Sequence, residues 1–347
     1  MPDISAQQLW FSGPHAVEIR EQTLTPPQAG QCLVRNLFSA ISAGTEMLVY
    51  RGQVPDTLAL DASLAALGND SISYPLQYGY ASVGVVEALG EGVDSGWLGR
   101  QVFAFQPHAS HYLASPEELI PLPADVDPRD AVFLANTETA VNLVLDAQPR
   151  LGERVVVLGQ GVLGLLASSA LVNFPLSQLA AVDAVDKRRA LSRQVGVAAV
   201  FDPEREEDIA AMQETLQASD STGGADLVLE LSGNPAALNL AIELCGYGGR
   251  IVVGSWYGNK PAELDLGGRF HRNRISIVSS QVSTLAPELT GRWDKARRFA
   301  VAWEQIKTCQ PAQFISHSLP LSEAADAYQI LDKSPGQAVQ IIFDYQA

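Results

Sequence analysis

Three glycines and one acid carry the most chemical information in this chain. Gly159, Gly161 and Gly164 stand in the G-x-G-x-x-G spacing within RVVVLGQGVLG (154–164), and Asp183 follows nineteen residues after the last glycine. The run Val155–Val157 reads as a buried parallel strand, and LLASSALVNF continues as a helix. Gly159 permits the tight turn, Gly161 lets backbone amides approach a pyrophosphate, and Gly164 lets helix and strand pack closely. Val162 and Leu163 complete the segment, whose helix N-terminus favours an anion. A glycine triplet alone is a weak signal. With strand, helix and downstream acid all in place, it points to dinucleotide binding.

Asp183 closes the next predicted strand, Leu179–Val182, where a carboxylate can accept both hydroxyls of the adenosine ribose. The same charge repels a 2′-phosphate, which favours NAD over NADP. The basic run Lys187, Arg188, Arg189 leaves the alternative open, since nearby cations could accommodate a phosphate. With NAD, Arg188 is expected over the adenine, and Lys187 and Arg189 as solvated helix residues.

Short strands and turns fill the region before the motif: Cys32–Asn36, Ser82–Ala88 and Arg100–Phe105. From 154 onward strands and helices alternate. After Val155–Leu158 come Leu179–Val182, Ala199–Phe201, Leu227–Leu229, Ile251–Val253 and Ile275–Val278, with amphipathic stretches such as Lys187–Val195 and Ile209–Leu216 between them. Such alternation builds an α/β fold with a doubly wound parallel sheet. The tail is expected to hold helices at Trp293–Ile306 and Ser322–Leu331 and a strand at Ala338–Asp344.

At 347 residues, 47% hydrophobic and 18% charged, the composition is that of a soluble globular protein of two ordinary domains. A net charge of −16 argues against nucleic acid and anionic membrane surfaces as partners. No apolar run approaches the ~20 residues that span a bilayer, and no secretory signal is visible, so cytoplasmic residence is the default expectation. Cys32, Cys245 and Cys309 are too few and too far apart for a disulfide framework or a four-cysteine zinc site.

The whole chain resembles the medium-chain dehydrogenase/reductase, or alcohol-dehydrogenase, superfamily. The matching segments are Gly44-Thr45-Glu46, Gly79–Gly84, Gly99–Phe103, the glycine motif, Ser232–Pro235, Gly248–Gly254 and Leu319–Tyr328. The stretches 40–55, 74–87, 135–142 and 254–282 are further similar to the branch containing bacteriochlorophyllide hydroxyethyl dehydrogenases. The resemblance implies a GroES-like β-rich catalytic domain over 1–145, a Rossmann domain over 146–285, and a segment 286–347 returning to the first domain. It also implies a homodimer acting on a small-molecule substrate.

In zinc members a Cys, a His and a third Cys or Glu hold catalytic zinc. Those positions here are Ala43, Tyr80 and Ala135, so no zinc is expected. His108, His111, Glu46 and Glu138 are the residues from which an unusual metal site could be assembled. Thr45 falls where the superfamily carries a hydroxyl that contacts the substrate oxygen and relays its proton; the competing reading is a turn threonine. Tyr80 could act as hydrogen-bond donor to the substrate, or be a buried structural tyrosine. His108 is weighed as general acid/base against a loop histidine with a structural hydrogen bond. Glu138 is expected to open a helix and compensate its N-terminal charge, or to orient a neighbour. Glu46 is expected as an ion-pair partner. Ser232 and Gly233, then Gly254, Ser255 and Trp256, follow strand ends and are expected to border the nicotinamide, with Tyr257 beside Trp256 as a candidate pocket wall.

Together these features imply an NAD(H)-dependent oxidoreductase interconverting a secondary alcohol and a ketone or aldehyde. A zinc-free enoyl or quinone reductase using NADPH and a non-catalytic nucleotide-binding sensor are the alternatives.

Overall fold

The computed structural model describes residues 2–54, 73–217 and 223–347; Pro55, which ends one of the segments behind the resemblance, lies outside them. The chain forms two compact units, Met1–Ala135 with Gln310–Ala347, and Asn136–Cys309. Both divisions fall away from the expected boundaries at 145 and 285. The helix before residue 310 belongs to the second unit because its Arg298, buried, donates to Glu138 at 2.7 Å.

Elements follow in chain order. The first part holds β1 (Ile4–Gly13), β2 (Ala16–Leu24), β3 (Cys32–Ala40), α1 (Glu46–Tyr50), β4 (Ser82–Leu89), β5 (Gln101–Ala104), β6 (His111–Ala114), β7 (Leu119–Pro121), α2 (Pro128–Ala131) and α3 (Leu134–Ala147). Next come β8 (Arg154–Leu158), α4 (Val162–Val172), β9 (Gln178–Val182), α5 (Asp186–Gln194), β10 (Ala199–Phe201), α6 (Glu206–Gln217), β11 (Ala225–Glu230), α7 (Ala237–Leu244), β12 (Cys245–Val253), β13 (Ser276–Ser279) and α8 (Lys295–Cys309). β14 (Ile315–Leu319), α9 (Ala324–Lys333) and β15 (Gln340–Asp344) close the chain.

In the first unit β1 and β2 form an antiparallel hairpin, which the sequence pattern does not announce because Gln7 and Gln8 interrupt its apolar alternation. A seven-stranded sheet runs β14-β15-β3-β4-β5-β7, with β6 also pairing with β3. β3 is buried almost throughout, which suits its central place. The strand β15 joins it antiparallel, Ile342 opposite Ala40, so a late strand of the chain completes the sheet that holds β3, β4, β5 and β7. Leu9, Phe11, Met47, Leu48, Tyr328 and Phe343 share one core, and α1 lies within it.

The second unit is the doubly wound sheet. Among the described residues its six strands are ordered β10-β9-β8-β11-β12-β13, all parallel, with Val156 between Ala180 and Val228. Each expected strand of this region is found, with β12 extended back to Cys245. Val156, Val182, Val228, Leu238 and Ile251 pack in its core. Among the described residues no helix is long and apolar enough to cross a membrane.

Two glycines fix the junction of β8 with α4. At Gly159 φ is +89°, and a Cβ there would meet Ser232 Cα at 2.6 Å. At Gly164 a Cβ would lie 1.9 Å from the Gly159 carbonyl oxygen, a backbone atom that cannot turn aside. Gly164→Ala should therefore push the helix off the strand, lowering unfolding free energy by about 1–3 kcal/mol in urea denaturation.

Candidate active site

The second unit presents an anion cradle at the start of α4. Gly161 is the N-cap, with no side chain capping the helix, and a Cβ at Gly161 would meet nothing within 4 Å. The first-turn amides, including those of Val162 and Leu163, have no intrahelical carbonyl to bond and face that open space. The loop is braced from below. Gln160 is fully buried and its Oε1 accepts from Ser168 Oγ at 3.1 Å and Ser192 Oγ at 3.0 Å. The residues present thus fit a dinucleotide pyrophosphate.

Asp183 stands at the end of β9, 7% exposed. Its Oδ2 accepts the Gln160 N–H at 2.7 Å and its Oδ1 the Val185 N–H at 2.8 Å. Each carboxylate oxygen keeps a further lone-pair site for a ribose hydroxyl. Arg188 Nη1 lies 3.8 Å from Oδ2, at the edge of the same place. Lys187 is exposed as expected, but Arg189 is not a solvated residue. Arg189 is buried, donates to the Asp183 carbonyl at 2.6 Å, and pairs with Asp186 and with Asp202 Oδ2 at 3.0 Å. Asp202 follows β10, so this partner comes from outside the local sequence.

Ser232 and Gly233 follow β11; Gly254, Ser255 and Trp256 follow β12. The Gly233 N–H donates to Ser255 Oγ at 2.9 Å, joining the two loops. A Cβ at Gly254 would meet Leu231 and Leu143 within 3 Å, so the glycine is there for packing space. Trp256 is exposed, whereas Tyr257 turns its hydroxyl to the buried Glu230.

The first unit holds a hydroxyl cluster. The Tyr80 phenol donates to Ser42 Oγ and lies 3.3 Å from Thr45 Oγ1, all three side chains being partly exposed. Thr45 is the N-cap of α1, yet its side chain makes no capping bond. Its hydroxyl is turned to Tyr80 instead, which turn chemistry alone does not require. Beneath the cluster, Glu46 is 0% exposed and accepts from the Ser42 N–H at 2.7 Å, from Tyr328 OH and from His108 Nε2 at 3.0 Å. His108, also 0% exposed, uses its Nδ1 with Ser39 Oγ at 2.7 Å, and Ser39 continues to Tyr345 OH at 2.8 Å. Burial, then the nearby Glu46 carboxylate, push the Tyr328 phenol well above its ordinary value, so it remains a donor. Both nitrogens of His108 are engaged inside the unit, and it reaches the hydroxyl cluster only through Glu46 and Ser42.

Glu138 belongs to the second unit. It does not lie in the first turn of α3 and so does not compensate the helix N-terminus. Oε1 accepts from Arg298 Nε at 2.9 Å and Nη2 at 2.7 Å, and Arg298 Nη1 donates to Asn142 Oδ1 at 2.7 Å. Burial raises the Glu138 carboxyl, while Arg298 pulls it back down. His111 sits apart from these groups, 3.8 Å from Glu87 Oε2. Of the four candidate metal donors only Glu46 and His108 meet. Among the described residues no group of three or more His, Cys, Asp or Glu could hold a metal ion. Ser39, Ser42, Gln160, Glu230 and Arg298 take part in these networks without any local sequence signal; only a buried polar residue in an apolar run, such as Glu230 after DLVL, hints at them.

A family profile described as zinc-binding dehydrogenase matches residues 162–302, within the second unit. L-threonine 3-dehydrogenase of Bacillus subtilis is 27% identical over 308 residues, 78% of this chain and 82% of that relative. An alcohol dehydrogenase from Escherichia coli CFT073, solved with NADH, superposes with a TM-score of 0.77 at 18% identity, covering 98% of this chain and 99% of that one. A Sinorhizobium meliloti 1021 protein described as a zinc-binding dehydrogenase, bound to NADP, gives 0.74 at 16% identity over 98% and 99% of the two chains. At the three positions that the resemblance assigns to zinc donors, the residues present do not fit the metal. Ala43 and Ala135 offer methyl groups, and Tyr80 offers a phenol committed to neighbouring hydroxyls.

Proposed function

The chain belongs to the medium-chain dehydrogenase/reductase superfamily of alcohol-dehydrogenase-like, NAD(P)-dependent oxidoreductases, and we propose that it interconverts a secondary alcohol and a ketone with NAD(H) and no catalytic zinc. The observation that carries the reading is the Ser42–Thr45–Tyr80 hydroxyl cluster, which includes Tyr80 and flanks Ala43, two positions that the resemblance assigns to metal donors. When bound, the nicotinamide supplies the hydride acceptor or donor. The chain's own task is the proton and the charge on oxygen. As an alcohol carbon loses hydride, its hydroxyl proton passes to Thr45 Oγ1 and along Tyr80 and Ser42 toward solvent. In the reverse direction Thr45 and Tyr80 donate to the carbonyl oxygen, in place of a metal. Glu46, fixed by His108 and Tyr328, holds the Ser42 backbone and with it the cluster.

NAD(H) is proposed over NADP(H) because Asp183 already has a carboxylate oriented by two backbone amides. A homodimer is proposed through β13, the edge strand of the parallel sheet, where Val278 is 46% exposed.

Three measurements test the proposal. Asp183→Ser should weaken NAD binding by about 30-fold or more, since it removes two charge-assisted hydrogen bonds, and should narrow the gap to NADP. A wild-type preference for NADP would instead favour the enoyl or quinone reductase reading. Elemental analysis of chelator-free protein should find far less than one zinc per chain, with activity surviving prolonged chelation; one tightly held zinc per chain overturns the metal-free mechanism. Thr45→Ala should lower turnover about 10²-fold or more while leaving cofactor affinity nearly unchanged, and Thr45→Ser should keep much of the rate. Equal losses in both variants would assign Thr45 a packing role through its methyl group.

A further inference from the structure

Glu230 takes no part in the reaction proposed above, yet it is the most completely enclosed acid at the cofactor end of the sheet. It is the last residue of β11, the strand beside β8, and is 0% exposed. Enclosing a carboxyl group is costly unless donors satisfy both oxygens. Here Oε1 accepts the Ser232 N–H at 2.8 Å and the Ser232 hydroxyl, and Oε2 accepts the Tyr257 hydroxyl. All three donors are neutral. Ser232 Oγ in turn accepts the Asn234 N–H at 3.1 Å. The Ser255 hydroxyl, which takes the Gly233 N–H, lies 3.4 Å from the Glu230 carbonyl oxygen. One residue therefore ties the loop after β11 to the loop after β12. Burial, then the bond to Glu230, raise the Tyr257 phenol above its ordinary value and keep it a donor.

Ligands of an open parallel sheet lie beyond the carboxyl ends of its strands. The adenosine end is served by Asp183 after β9 and the pyrophosphate by the turn after β8, which leaves the ends of β11 and β12 for the other half of the dinucleotide. We propose that Glu230 is a positioning residue that shapes these two loops to receive the nicotinamide half, independently of the adenosine half. The proposal rests on the dinucleotide-binding reading of this unit.

Isothermal titration of the full chain with NADH and with ADP, which shares only the adenosine and pyrophosphate, tests it. Glu230→Gln should weaken NADH about tenfold and Tyr257→Phe about threefold, both leaving ADP within about twofold of wild type. Equal losses for NADH and ADP, or no loss for either, would overturn the positioning role. Wild-type protein that binds neither ligand would instead remove the dinucleotide reading, and this proposal with it. Should Glu230→Gln not fold, Tyr257→Phe and Ser232→Ala carry the same comparison, since each removes only one hydroxyl from the carboxyl group.

Discussion

Taking a carboxylate out of water costs several kcal/mol after relaxation, so each enclosed acid must be surrounded by donors held in place for it. Three of the chain's buried acids show this constraint at loops that border candidate sites. Asp183 gathers the Gln160 and Val185 amides, Glu230 gathers Ser232 and Tyr257, and Glu46 gathers the Ser42 amide, His108 and Tyr328. In each case at least one donor is a backbone N–H of the loop that borders a candidate site. A backbone donor fixes the path of the chain rather than a single rotamer, so the acid organises the loop.

The two units differ in how far their sites could be read from sequence. The cofactor cradle is legible because its parts are local: a strand, three glycines, a helix and an acid fall within thirty residues, and the period of the pattern changes where the strand ends. Steric reasons for Gly159 and Gly164 follow directly from that turn. Arg189 shows the limit even here. Its helix position looks solvated, but Asp202 arrives from beyond the next strand and draws it inside.

In the first unit the decisive partners are far apart in the chain. His108 meets Glu46 across 62 positions, Tyr328 meets it across 282, and Tyr345 meets Ser39 across 306. The last two pairings come from the return of α9 and of the segment after β15 to the first unit, a topological event without a local periodic signature. A lone histidine after FAFQP therefore reads as an acid/base group or, with a slight preference, a structural one. Glu138 fails for a related reason: its position early in a helix suggests a dipole role, while the partner that determines its state is on α8, 160 positions away.

The hydroxyl cluster also bears on the proposed metal-free reading, because Tyr80 holds one of the positions that the resemblance assigns to a zinc donor. A donor set of the kind the resemblance implies would require replacing Tyr80, whose phenol donates to Ser42 and borders Thr45. Removing it leaves both hydroxyls to find other partners. Ser42 is in turn connected through its amide to Glu46, so the perturbation reaches a buried carboxylate held by His108 and Tyr328. In the proposed metal-free reading, a metal ligand at position 80 and the hydroxyl network are alternatives, because both need that one side chain.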